Sequence, residues 1–369
     1  PRLVMTFQGK EIVNMSRAFL DTNGVRGVQD VVISEGEVEN DPFVPVRTTL
    51  LDNLRKENVA SQIGLAEMFD ASIGKSSVLM PFGGKYQLTE SEGSVQKLPV
   101  FGFTNTCSIL THGFHPQIAR FSPYLGASYS VVEALARVTA MGGDYRTCRL
   151  SNQEYFERLQ EDTKKWGKPM QALLGLVDAQ LAFETPSIGG KDSMSGTFNN
   201  IHVPPTVITF AVTTEQTQNI LSPEFKKEGN YIYIIRHHAH DDHTPNYEEL
   251  KSNFDKVRKL AREGVIVSAA TTKFGGAAET ICKMAFGNKI GAAIQSEASL
   301  YDLEIGSIIV ESKETLLDES FELLGITTKE PMLILNEESA TIDEAIEAWC
   351  ERYDHIYPMA VDKDGQKID

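Results

Sequence analysis

The sequence predicts a mixed α/β protein of two domains, and three observations carry that prediction. Strand-like apolar runs alternate with helix-period segments in both halves of the chain. At 369 residues the chain is long enough to bury more than one core. A polar, charged stretch at 213–230 then separates the two patterned halves as a linker or surface excursion. The expected units are an N-terminal domain over 1–220 and a C-terminal α/β domain over 221–369.

Taken in order, residues 3–7 (LVMTF) read as a strand, and 11–20 and 52–69 as helices with apolar residues at helical spacing. Residues 78–80 and 98–103 read as short strands. Residues 124–140 form a helix of small and β-branched residues suited to close packing, ended by Gly142-Gly143. An amphipathic stretch follows at 170–183, then the buried strand VITFAV at 207–212. The second half opens with the β-branched strand YIYII at 231–235. A helix at 247–263, a strand at 265–269, a helix at 277–286 entered through Gly275-Gly276, and strands at 308–310 and 332–335 complete it.

Composition narrows the function. With 41% apolar and 23% charged residues, this is an ordinary soluble globular composition. A net charge of −16 argues against a nucleic-acid partner, because phosphate backbones call for a basic surface. No run approaches the roughly 20 apolar residues needed to cross a bilayer, so no membrane partner is expected. The cysteines Cys107, Cys148, Cys282 and Cys350 are scattered without C-x-x-C spacing, which reads as free thiols in a reducing cytoplasm. The chain begins at Pro1 and runs at once into patterned sequence, so a piece of a longer protein is expected.

The chemistry concentrates in Ser187-Ile188-Gly189-Gly190-Lys191-Asp192-Ser193-Met194-Ser195-Gly196-Thr197. Glycines let a backbone approach a ligand closely, successive amides in a turn form an anion-binding concavity, and Lys191 adds a point charge suited to phosphate. A phosphate-holding turn is the functional reading, and an ordinary Gly/Ser turn is the alternative. Two other signals carry less. Ile73-Gly74-Lys75-Ser76-Ser77 looks like the tail of a P-loop, but Phe69 stands where its first glycine belongs. The run His237-His238-Ala239-His240-Asp241-Asp242-His243 lacks metal-site spacing and reads as a solvated loop after a strand. His112 and His115, flanking Gly113, read as part of another such loop.

Residues 187–198 (SIGGKDSMSGTF), 122–138 (SPYLGASYSVVEALARV) and 80–86 (MPFGGKY) together resemble phosphoribosylformylglycinamidine synthase, and more narrowly its large clostridial and Bacteroides type. The resemblance implies a two-domain unit like aminoimidazole ribonucleotide synthetase, with an N-terminal pairing domain and a C-terminal α/β domain. In that family two such units pair as an internal pseudo-dimer, and this chain is similar to the second one only. The first synthetase half and the glutaminase domain would then be its missing partners. The implied reaction converts formylglycinamide ribonucleotide, ATP and glutamine-derived ammonia to formylglycinamidine ribonucleotide, with ATP and Mg2+ as cofactors. A half alone would be inactive and, its pairing surface uncovered, a homodimer.

By the same resemblance Gly189, Gly190, Lys191 and Asn152 would contact ATP phosphate, and Ser193 the substrate. Glu133 is the retained member of a carboxylate set that holds an auxiliary magnesium–nucleotide. The rest of that set is changed: Arg137 stands in place of an asparagine, Thr271 in place of an aspartate, and the loop Phe82-Gly83-Gly84-Lys85-Tyr86 lacks its aspartate. The auxiliary site is therefore expected to be degenerate, with Arg137 paired to Glu133 at i, i+4. A non-catalytic scaffold half with a degenerate nucleotide site is the competing reading. A complete enzyme related to thiamine-phosphate kinase or selenophosphate synthetase is disfavoured by the absence of an acidic N-terminal metal pattern.

Overall fold

The computed structural model describes residues 1–21, 27–33, 41–45, 47–69 and 75–359. The P-loop-like Ile73-Gly74 lies outside the described residues. Strands β1 (Arg2–Phe7) and β2 (Lys10–Ser16) form a hairpin followed by the short helix α1 (Arg17–Leu20). The helix expected over 11–20 is thus mostly strand. Gln8 and Gly9 both take positive φ, which makes the two-residue turn that joins twisted antiparallel strands. The helix expected over 52–69 is likewise two short pieces, α2 (Leu50–Leu54) and α3 (Ile63–Glu67). Tertiary contacts break it: the carbonyl of Val59 accepts from Trp349 Nε1 at 3.0 Å, and Ser61 N donates to the Trp349 carbonyl at 2.8 Å.

The N-terminal half continues through β3 (Phe82–Gly83), β4 (Thr89–Glu90), β5 (Ser94–Lys97) and β6 (Thr106–Gly113). Residues 78–80 and 98–103, expected as strands, are irregular. Next come α4 (Pro116–Phe121), α5 (Pro123–Ala140), β7 (Arg149–Tyr155), α6 (Thr163–Phe183) and β8 (Ser187–Ser193). The two-residue strands β9 (Thr197–Phe198) and β10 (Ile201–His202) precede β11 (Thr206–Gln216). One five-stranded sheet results, in the order β5-β6-β11-β7-β8, antiparallel except for the parallel pair β7/β8.

Beyond it lie β12 (Tyr231–Ile235), α7 (Tyr247–Arg262), β13 (Ile266–Thr271), α8 (Gly276–Phe286), β14 (Gly291–Ile294) and β15 (Ile308–Ser312). Strands β16 (Phe321–Thr328), β17 (Met332–Leu335), β18 (Glu338–Thr341) and helix α9 (Ile342–Glu351) finish the described chain. These strands form a seven-stranded sheet in the order β13-β15-β12-β16-β14-β17-β18.

The layers follow from period-2 burial. In β12, Tyr233 and Ile235 face the cluster built around α5, whereas Ile232 and Ile234 face the cluster containing α8 and α9. Helix α5 therefore lies between the two sheets, and only Tyr124 and Arg137 of its residues are not buried. Its run of Ala, Ser and Gly permits this, since small side chains let neighbouring elements approach. Helices α8, α9 and α2 cover the far face, where burial of Trp349 and Phe286 stabilises by about 1.5–3 kcal/mol per side chain. The 213–230 stretch is no loose linker: β11 extends to Gln216, and Phe225 is fully buried in the second cluster.

Candidate functional site on the glycine-rich edge strand

The glycine-rich segment is a strand, not the expected turn. It forms β8 at the edge of the five-stranded sheet, parallel to β7, with Asn152 opposite Gly190, Gln153 opposite Lys191 and Tyr155 opposite Ser193. Neither Gly189 nor Gly190 has positive φ, so no αR–αL nest forms. The glycines serve close approach instead. A Cβ at Gly190 would lie 2.3 Å from the Asn152 carbonyl oxygen, while Gly189 faces open space. An edge strand leaves a row of outward amides and carbonyls without ladder partners. The strand thus remains a place where an anion can meet backbone N–H groups, by a different geometry.

The sequence-predicted residues around it divide in two. Lys191 is exposed, its Nζ 4.2 Å from the centre of the Tyr155 ring, a cation–π contact that holds the ammonium on the sheet's outer face. Ser193 Oγ lies 3.3 Å from Ser195 Oγ. Asn152 turns inward and makes two bonds within the sheet: Nδ2 donates to Ser187 Oγ at 2.5 Å, and Oδ1 accepts from Thr209 Oγ1 at 3.0 Å. Its side chain ties β8 to the sheet, which leaves the second Nδ2 hydrogen and the second Oδ1 lone pair for any ligand contact.

Glu133 stands elsewhere, on α5, in a cluster of buried charges. Its Oε1 accepts from Arg137 Nη2 at 2.5 Å, the i, i+4 pair expected from the sequence, and its Oε2 accepts from Phe114 N at 2.9 Å. Nearby, Glu92 accepts from Thr271 Oγ1 at 2.7 Å and from Lys273 Nζ at 2.6 Å. Burial opposes the charge on Glu92, and Lys273 and Arg137 overcome it, holding its carboxyl below the usual range. The cations supply the positive charge that a divalent ion would bring, so these residues do not fit a metal. Glu92 and Lys273 escaped the sequence reading because they lie 181 residues apart, and nothing local marks either one.

The histidine run is a loop, as expected, but His237 is not solvated. It is buried, with Nδ1 2.8 Å from the Ile305 carbonyl and Nε2 accepting from Asn246 N at 3.0 Å. Among the described residues no group of three or more His, Cys, Asp or Glu is placed to hold a metal, and no helix is long and apolar enough to cross a membrane.

This mixed α/β architecture is the fold of a structure of PurLQS from Thermotoga maritima. That chain superposes with a TM-score of 0.63 at 15% identity, over 89% of this chain and 49% of its own length. No known family profile matches the sequence. The relatives found by sequence are phosphoribosylformylglycinamidine synthase subunits PurL. That of Methanocaldococcus jannaschii is 21% identical over 401 aligned residues, covering 97% of this chain and 53% of the subunit. That of Thermoplasma volcanium is 22% identical over 353, covering 87% and 45%. The chain spans about half the length of the curated relatives it matches. PurL of Thermotoga maritima has been solved in complex with ATP, ADP and FGAR.

Proposed function

We propose that this chain is the second half of the synthetase region of a phosphoribosylformylglycinamidine synthase, acting in purine biosynthesis in the cytoplasm. In the assembled enzyme ATP phosphorylates the amide oxygen of formylglycinamide ribonucleotide, releasing ADP. Ammonia from glutamine adds at the same carbon, phosphate leaves, and the amidine forms. The missing first half and the glutaminase domain complete the site, and the half alone is inactive.

The observation that best supports this reading is β8: an exposed glycine edge with Lys191 held beside it. Its part is to bind and orient the polyphosphate, through outward amides and the Lys191 ammonium, with Ser193 toward the substrate. Mg2+, when bound with ATP, would neutralise phosphate charge. At Glu133 the internal ion pairs favour the scaffold reading for the auxiliary position, where Arg137 and Lys273 replace a metal with fixed charge.

Calorimetric titration with ATP and Mg2+ tests the assignment. Lys191→Ala is expected to weaken binding about tenfold, the worth of one charge-assisted phosphate contact. Equal binding by both proteins would remove Lys191 from the phosphate, and no binding by either would favour the scaffold reading of the isolated half.

The outer face of the five-stranded sheet is the proposed pairing surface. It exposes Leu110 and Val212 beside half-buried Phe210, and the β5–β6 connection exposes Val100, Phe101 and Phe103. Contiguous apolar surface of this kind drives association. Sedimentation at micromolar concentration is expected to give about twice the 40.8 kDa chain mass, and a monomer alone would refute self-pairing.

A further inference from the structure

Buried carboxylates in this protein are almost all answered by a donor. Glu92 has Lys273, Glu133 has Arg137, Glu157 has Lys165 and Lys168, Glu224 has Lys226, and Glu279 has Lys283. Glu311 accepts from the main-chain amides of Lys226 and Lys227 and from Asn230 and Ser268. Glu154 on β7 is the exception among the described residues. It is 8% exposed, and no hydrogen-bond donor or cation reaches it. What faces it is a second carboxylate. The parallel register of β7 and β8 sets Glu154 directly opposite Asp192, and successive residues alternate faces, so both side chains leave the sheet on the same side. On its other flank Glu154 is paired with the buried Val207.

Two like charges directly opposite across strands are destabilising, and an unanswered buried carboxylate more so. Every other buried carboxylate among the described residues is answered and this pair is left open, with Asp192 exposed as a way in from solvent. We infer that Glu154 and Asp192 form a divalent-cation site. Two carboxylates, with the remaining positions filled by water or phosphate oxygens, are the protein share of a typical Mg2+ or Mn2+ coordination sphere. The site stands on these carboxylates alone. Its use rests on the function proposed above: a polyphosphate lying along the β8 edge would meet Lys191 from the outer face of the sheet and the cation from the inner face.

Electron paramagnetic resonance of Mn2+ titrated into the chain, without nucleotide, tests the site independently of ATP binding. One Mn2+ per chain is expected, weakened about tenfold or more in both Glu154→Gln and Asp192→Asn and unchanged in Glu319→Gln, an exposed carboxylate elsewhere. Mn2+ should also raise the melting temperature of the wild type and do so less in the two variants. Asp192→Asn changes an exposed side chain, so loss of folding does not confound it. No Mn2+ binding at millimolar concentration, or binding indifferent to both substitutions, would overturn the site whatever the ATP titration gives.

Discussion

Lys283→Met is expected to destabilise the protein by about 3–5 kcal/mol, the range for removing one partner from a buried ion pair. Lys283 lies on α8, 6% exposed, and its Nζ sits 2.7 Å from Glu279 Oε1 and 2.8 Å from Glu90 Oε2. Burial works against its charge, and the Glu279 and Glu90 carboxylates outweigh that penalty, so its pKa is raised. One cation thus answers two carboxylates, one of them 1% exposed. Methionine fills a similar volume, so packing changes little and the lost charge dominates. The contact also joins distant parts of the chain, since Glu90 precedes the five-stranded sheet and α8 packs on the seven-stranded one. Urea unfolding measures the loss. A double variant with Glu279→Gln should recover part of it, because the stranded carboxylate causes most of the cost. A loss under about 1 kcal/mol would mean that water reaches the site and screens it.

That cluster also marks the limit of what the sequence discloses. Elements whose burial is written in their own periodicity were legible: α5, β12 and β17 fall where apolar spacing puts them, and α7 and α8 within a residue at each end. The failures have a common cause, which is that a distant partner decides. Residues 52–69 carry helical spacing, yet Trp349 claims the middle of the segment through two hydrogen bonds. Residues 187–193 carry turn composition, yet β7 offers a parallel ladder that only glycine at 190 can approach. At the candidate site the residue types were readable and their geometry was not. Asn152 reads from the sequence as a phosphate contact, and the structure adds that it ties β8 to the sheet through Ser187 and Thr209. Glu154 passed unnoticed, although a carboxylate in the inward phase of a strand is a legible anomaly once the phase of β7 is known.

The stability that His115 contributes should begin to be lost near pH 6.5, above the range where ordinary carboxylates titrate. The imidazole is 1% exposed, stacked 4.2 Å from Phe274, and caps α4 by accepting from Ile118 N at Nδ1, 3.3 Å away. With Nδ1 an acceptor, the neutral ring carries its proton on Nε2, which has no partner. Burial pulls the pKa down to about 4, against a weaker upward pull from Glu133. Between pH 6.5 and 4 the unfolded chain binds a proton at this residue that the folded chain does not, so stability rises with pH across that window. The contribution lost on acidification is about 3 kcal/mol. His112 and His237, also lowered by burial, act in the same sense. Glu154, pushed up by burial to about 7, acts in the opposite sense, so the comparison must be between variants. His115→Asn keeps a capping oxygen for Ile118 and removes the titration. Urea unfolding at pH 7 and pH 4.5 in the presence of a chelator should then show a smaller acid loss in the variant than in the wild type, by about 2–3 kcal/mol. Equal losses would place the Nε2 proton in contact with water and its titration near the ordinary histidine value.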